Sequence, residues 1–123
     1  MIFSDITIII PVFNLHGKRL ENFHCVLKSL MNENIKVIVA EQTNIKNKNN
    51  YVQGNVIYNF YFNNSEKINK AKLINLSVNE CKSKYIWQLD SDVILKWKIV
   101  LNSIKDQDII KPFDYVVRLS ENE

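Results

Sequence analysis

An α/β domain built on a mainly parallel sheet is the fold class this chain predicts, and three observations predict it. Short β-branched apolar runs alternate with stretches of helical period. The first runs, Ile6–Val12 and Ile35–Ala40, lack the apolar/polar alternation of a half-exposed strand and read as strands buried on both faces. No internal repeat or low-complexity segment interrupts the 123 residues, and only two Gly and two Pro are present. A chain of this size buries roughly two-thirds of its unfolded surface, so residues 1–123 are expected to form one domain with a real core.

The elements follow in order. Ile6–Val12 opens the sheet, but Pro11 removes a ladder donor, so the strand is expected to end near Ile10. A loop over Phe13–Gly17 leads into a helix from Lys18 to Asn32, with Leu20, Phe23, Leu27, Leu30 and Met31 on one stripe. Ile35–Ala40 is the second strand. Thr43–Asn55 is Asn/Lys-rich and reads as a mobile loop. Val56–Phe62 is a third strand by its β-branched and aromatic content. A helix capped at Ser65, Asn63 or Asn64 should run to about Lys82 and bury Ala71, Ile74, Val78 and Cys81. Tyr85–Leu89 is the fourth strand and runs into Asp90-Ser91-Asp92. Beyond it, Val93–Leu95 reads as extended, Trp97–Ile104 as a short helix, and Ile109–Leu119 as strand-like around Pro112.

Composition narrows the function classes. The longest apolar run, Ile8–Phe13, falls far short of the ~20 residues of a transmembrane helix. No basic segment precedes an apolar stretch at the start, so no signal peptide is read and a cytoplasmic protein, at most peripheral to a membrane, is expected. Cys25 and Cys81 stand alone and are expected to be buried thiols in a reducing compartment. The net charge of +3 is a weak pull toward anions. Abundant Lys, Asn and Ile are also what AT-rich coding sequence produces. The Lys46–Asn50 stretch lacks Arg and interleaved aromatics, so a nucleic-acid partner is not expected.

The chemistry-bearing residues fall where open α/β sheets bind ligands, outside the carboxyl ends of strands: Asn14, Glu41-Gln42 and Asp90/Asp92. Two carboxylates one residue apart can share a divalent cation, and Mg²⁺ or Mn²⁺ would suit both carboxylate and phosphate oxygens. The plain alternative for Asp90-Ser91-Asp92 is a solvated turn. Asn69 and Lys70 stand at a helix start, where the dipole and free N–H groups favour phosphate; a solvated face is the alternative for Lys70 and Lys72. His16 and His24 have no partner spacing that suggests a metal. Tyr58, Tyr61, Trp87 and Trp97 read as core or interface aromatics.

Four segments, Ile8-Ile-Ile-Pro-Val-Phe-Asn14, Ile38-Val-Ala-Glu-Gln42, Asn69-Lys-Ala-Lys-Leu-Ile-Asn75 and Trp87-Gln-Leu-Asp-Ser-Asp-Val93, resemble the successive motifs of GT-A fold glycosyltransferases. The general pattern is similar to the large inverting family 2. The Glu-Gln pair and the Asn69–Asn75 block look more like the β-1,4-galactosyltransferase and chondroitin-polymerase branch. The resemblance covers about residues 4–119. It departs at Ile68, where the branch usually has Phe, at Lys70, where many members have Arg, and at Thr43-Asn44, where family 2 commonly has Gly-Ser. Lys keeps the charge of Arg but not its bidentate fork.

The resemblance implies a Rossmann-like α/β/α sandwich, truncated on its C-terminal side, that binds a UDP-type sugar with Mn²⁺ or Mg²⁺ for transfer to a saccharide or other hydroxyl. By position, Pro11, Val12, Phe13 and Asn14 would approach the base and ribose. Glu41, with Gln42 beside it, would contact base or ribose. Asn69 and Lys70 would approach the phosphates. Asp90, with Ser91 beside it, would face the ribose or donor sugar, and Asp92 would be the main metal ligand. In such enzymes the catalytic base, the acceptor-binding helix and a further metal ligand follow well after the paired carboxylates. Here only Asp106, Asp108, Asp114, Glu121 and Glu123 follow, and Asp114 is the weak candidate for a base, against a polar residue at a turn. Two functions therefore stand side by side: a transferase or its donor-binding half, and a non-catalytic nucleotide-sugar-binding module completed by a missing segment, a partner chain or a second copy.

Overall fold

The computed structural model describes residues 6–31 and 34–93. The order is β1 (Ile6–Phe13), α1 (Gly17–Met31), β2 (Lys36–Thr43), β3 (Tyr51–Gln53), β4 (Val56–Phe62), α2 (Lys70–Val78) and β5 (Tyr85–Gln88). The strands form one sheet in the order β3-β4-β2-β1-β5. All neighbours are parallel except β3 and β4. The α/β class and the mainly parallel sheet are thus as expected. The segments expected at Leu95, Trp97–Ile104 and Ile109–Leu119, with Trp97, Asp106, Asp108, Asp114, Glu121 and Glu123, lie outside the described residues.

β1 lies inside the sheet between β2 and β5, and burial on both its faces explains its β-branched run. Its even residues, with Val37, Val39, Val56 and Leu89, share a core with Phe23, Val26, Leu27 and Leu30 of α1. The opposite face carries α2, which packs on β1 and β2 and buries Leu73 and Ser77. Among the described residues each face of the sheet thus holds one helix, and no helix is long and apolar enough to cross a membrane.

β1 does not end at Ile10 but continues through Pro11 to Phe13. The register shows why Pro11 is tolerated. The Leu89 N–H donates to the Ile9 carbonyl at 2.9 Å, whereas the Asn14 N–H donates to Gln42 on the other side at 3.1 Å. Odd residues of β1 therefore aim their N–H groups toward β5, whose pairing has stopped at Gln88. The donor that Pro11 lacks has no ladder partner to lose.

The Thr43–Asn55 stretch is not one loop. It contains β3, which pairs with β4 across a two-residue turn at Gly54-Asn55. Gly54 has a positive φ of +59° and Asn55 does not, the pattern of a turn that needs Gly first. Residues 44–55 thereby make the crossover between parallel β2 and β4 without a helix.

Two helical faces shift from expectation. In α1 the buried set is Phe23, Val26, Leu27 and Leu30, while Met31 is 48% exposed. At about 100° per residue Met31 stands about a quarter-turn from the centre of that stripe. α2 starts at Lys70, not after Ser65, and ends before Lys82. Asn63 and Ser65 spend their side chains on local turns, accepting from the N–H groups of Ser65 at 2.9 Å and Lys67 at 3.2 Å. Ala71 and Val78 are exposed, and Ile74 and Cys81 are only half-buried; Leu73 and Ser77 face the sheet instead. Ser77 is tolerated there because its hydroxyl donates to the Leu73 carbonyl at 2.8 Å. Cys25 is exposed, so neither cysteine is a fully buried thiol.

Candidate functional site

The strand order reverses at β1: the chain moves outward through β2 to β4, then returns to place β5 on the other side of β1. A crevice at the carboxyl ends of the strands is the general consequence of such a reversal. The residues singled out from the sequence can be placed around that rim.

From β1, Pro11 and Val12 are buried inside the strand, and Val12 faces the α1 core. Only Phe13 and Asn14 reach the strand end. Asn14 adopts φ +42°, a conformation Asn accepts more readily than most residues. Its side-chain oxygen accepts from the Asn44 N–H at 3.0 Å, tying the exit of β1 to the exit of β2.

Glu41 and Gln42, adjacent in sequence, stand on opposite faces of β2 because successive strand residues alternate. Gln42 faces α2 and is only 2% exposed. Its Nε2 donates to the Lys67 carbonyl at 2.9 Å, and its Oε1 accepts from the Asn69 N–H at 2.8 Å. It therefore fixes the segment that enters α2. Glu41 lies on the α1 face, 5% exposed, and its Oε2 accepts from Lys48 Nζ at 2.9 Å. Lys48 also sits 4.7 Å above the Phe60 ring. Lys48 has no local sequence signal: the pair forms only because the chain after β2 folds back over the strand ends.

Asn69 is the N-cap of α2, its Oδ1 accepting from the Lys72 N–H at 3.1 Å. Lys70, the first helical residue, reaches Asp90 Oδ1 at 3.1 Å. The Val93 N–H approaches the Asp90 carbonyl at 3.4 Å, so Asp90-Ser91-Asp92 forms a turn directly after β5. Asp90 and Asp92 are exposed and Ser91 is half-buried. Among the described residues no three His, Cys, Asp or Glu side chains gather into a metal-binding group. Two carboxylates on an exposed turn fit a cation that takes its remaining ligands from phosphate oxygens and water.

Bonds thus connect Asn14 to Gln42, Gln42 to Asn69, and Lys70 to Asp90. Glu41 belongs to a separate cluster with Lys48 and Phe60. His16, before α1, and His24, on it, are both exposed. Tyr58 and Trp87 pack partly buried against the α1-side core, and Tyr61 is half-buried. Burial raises the Tyr58 and Tyr61 hydroxyls above the usual tyrosine pKa. Tyr51 adds to the effect at Tyr58 and Glu80 at Tyr61, where an Asn59 hydrogen bond opposes it.

Fold and rim together define a mixed α/β domain with polar and charged groups at the carboxyl ends of parallel strands. Comparison with family models, curated proteins and solved structures finds no match for this chain.

Proposed function

We propose that the chain is the donor-binding half of a GT-A-type glycosyltransferase, binding a UDP-type sugar across the carboxyl ends of β1, β2 and β5. The observation that carries this reading is the direct link between the motif segments: Gln42 holds the Asn69 N–H, and Lys70 meets Asp90. Segments far apart in sequence would act on one ligand at one rim.

In this reading the N-terminus of α2 and Lys70 draw the diphosphate, through the helix dipole and one mobile cation. A bound phosphate would compete with Asp90 for Lys70. Asp92 and Asp90 would hold Mn²⁺ or Mg²⁺ together with the phosphate oxygens. When bound, the cation supplies charge neutralisation for the departing nucleoside diphosphate. Phe13, Asn14 and Glu41 would border the nucleoside, with the sugar reaching toward a saccharide or other hydroxyl acceptor.

The second reading, a binding module without turnover, draws on the pairing of the rim carboxylates. Glu41 is engaged by Lys48 and Asp90 by Lys70, which leaves Asp92 as the rim carboxylate without an ion-pair partner among the described residues. A base for the acceptor hydroxyl would then come from another segment or a partner chain.

Titration calorimetry with UDP, with and without Mn²⁺, tests the donor site. Binding that strengthens with Mn²⁺ and is lost in Asp92→Ala is the expected result. Asp92 is exposed, so stability should change by no more than about 0.5 kcal/mol in that variant. Metal-independent or absent binding refutes the site. Hydrolysis or transfer of a UDP-sugar by the isolated chain would eliminate the non-catalytic reading.

A further inference from the structure

The chain leaving β2 is pinned at several points across the strand ends. The Asn44 N–H donates to Asn14 Oδ1 at 3.0 Å, and the Ile45 N–H to Thr43 Oγ1 at 3.2 Å. Lys48 bonds Glu41, and Asn50 Oδ1 accepts from the Phe60 N–H at 2.8 Å. Lys46 and Lys48 sit over the rings of Phe62 and Phe60. The residues of this segment are themselves exposed, yet Glu41 beneath it is almost wholly buried. The ammonium that partners Glu41 thus comes from the segment that covers it.

We propose that residues 44–50 form a strap closed over Glu41 with Lys48 as its latch, and that a nucleoside reaches this carboxylate only when Lys48 lets go. This regulation rests on the nucleotide-site reading above. A buried carboxylate needs a hydrogen-bonded or charged partner. Lys48 supplies that partner in the closed form. The N–H or O–H groups of a base or ribose supply it in the open form, and because Glu41 is only 5% exposed beneath the strap they reach it only when Lys48 and the segment that carries it are displaced. Apart from the Lys46 ammonium over the Phe62 ring, the remaining pins are neutral hydrogen bonds at the two ends of the strap, next to Asn14 and Phe60, so its middle can lift while its ends stay attached. Asn47, beside the latch, sits at φ +66°, a left-handed conformation that Asn accepts more readily than most residues. The apparent affinity for a ligand of Glu41 is then the intrinsic affinity reduced by the fraction of molecules with the latch open.

The test combines amide hydrogen exchange with calorimetry on the full chain, using uridine and UDP as probes. In Lys48→Met, amides of 44–50 should exchange about tenfold faster, and uridine should bind roughly three- to tenfold tighter. Lys48→Arg preserves the pair and should behave like the unmodified chain. Should Lys48→Met fold poorly, Glu41→Gln with Lys48→Met carries no unpaired buried carboxylate and should show the same loosened strap. Unchanged exchange at 44–50 in both latch-free variants overturns the strap. So does a loosened strap without tighter uridine binding, provided that uridine binds. If neither probe binds any variant, the nucleotide reading falls and the gate falls with it. The exchange data then still separate that failure from a latch that never existed.

Discussion

Gln42 is where one residue decides most about the rim. Both ends of its amide are used, and both bonds reach residues 25 and 27 positions away. The entry to α2 is therefore placed by a side chain from β2 rather than by local capping alone. Gln42→Leu keeps the approximate shape and removes both bonds, leaving the Asn69 N–H and the Lys67 carbonyl without their partner. A loss of about 1–3 kcal/mol in urea denaturation is expected, with weaker UDP binding because the α2 N-terminus is no longer held. Unchanged stability would mean that water replaces the amide. The sequence marks Asn14, Gln42, Asn69, Lys70 and Asp90 as residues at strand and helix ends. It does not separate Glu41 from Gln42 by face, because the apolar run stops at Ala40 and leaves the pair beyond it. Their opposite roles follow from β2 continuing to Thr43.

At the scale of elements, strands are easier to read from residues than helix limits. Val56–Phe62 forms the expected strand with the same bounds. The hairpin preceding it is obscured in the sequence because β3 is three residues long and follows a run of Asn and Lys. Its signal is Gly54, standing two residues ahead of a β-branched run. Gly54 has open space around it, so a larger side chain there costs conformational energy rather than a clash. Gly54→Val forces a β-branched residue to φ +59° and should cost about 1–2 kcal/mol. Faster hydrogen exchange confined to β3 and the first half of β4 would locate the effect; a loss spread over β1 and β2 would contradict it. The start of α2 differs from expectation because Asn63 and Ser65 carry the chemistry of caps and use it in turns. Its buried face differs because Ser77 counts as polar in any periodicity reading.

For the molecule as a whole, the half-buried tyrosines contribute to how stability responds to alkali. Tyr58 and Tyr61 hold their protons above the usual tyrosine range in the folded state. Between the ordinary value of about 10 and those raised values, the folded state binds more protons than the unfolded one, so stability falls as pH rises. Below that range the groups are protonated in both states and contribute no slope. Denaturation midpoints from about pH 9 to about pH 11 should drop less in Tyr58→Phe than in the unmodified chain. Equal drops would assign the alkaline loss to other groups.

The alternation of β-branched strands with helices, and the stripe of α1 apart from Met31, are legible in the residues alone, because these are local properties: β-branched runs and helical stripes carry their own periods. The same local chemistry marks the polar residues at the strand ends. How those residues pair belongs to the folded chain. Gln42 with Asn69, Lys70 with Asp90 and Glu41 with Lys48 depend on strand register, on which face each residue takes, and on the path of the chain over the sheet. No local period encodes these relations. They are set when burying both faces of β1 brings distant segments together at one end of the sheet.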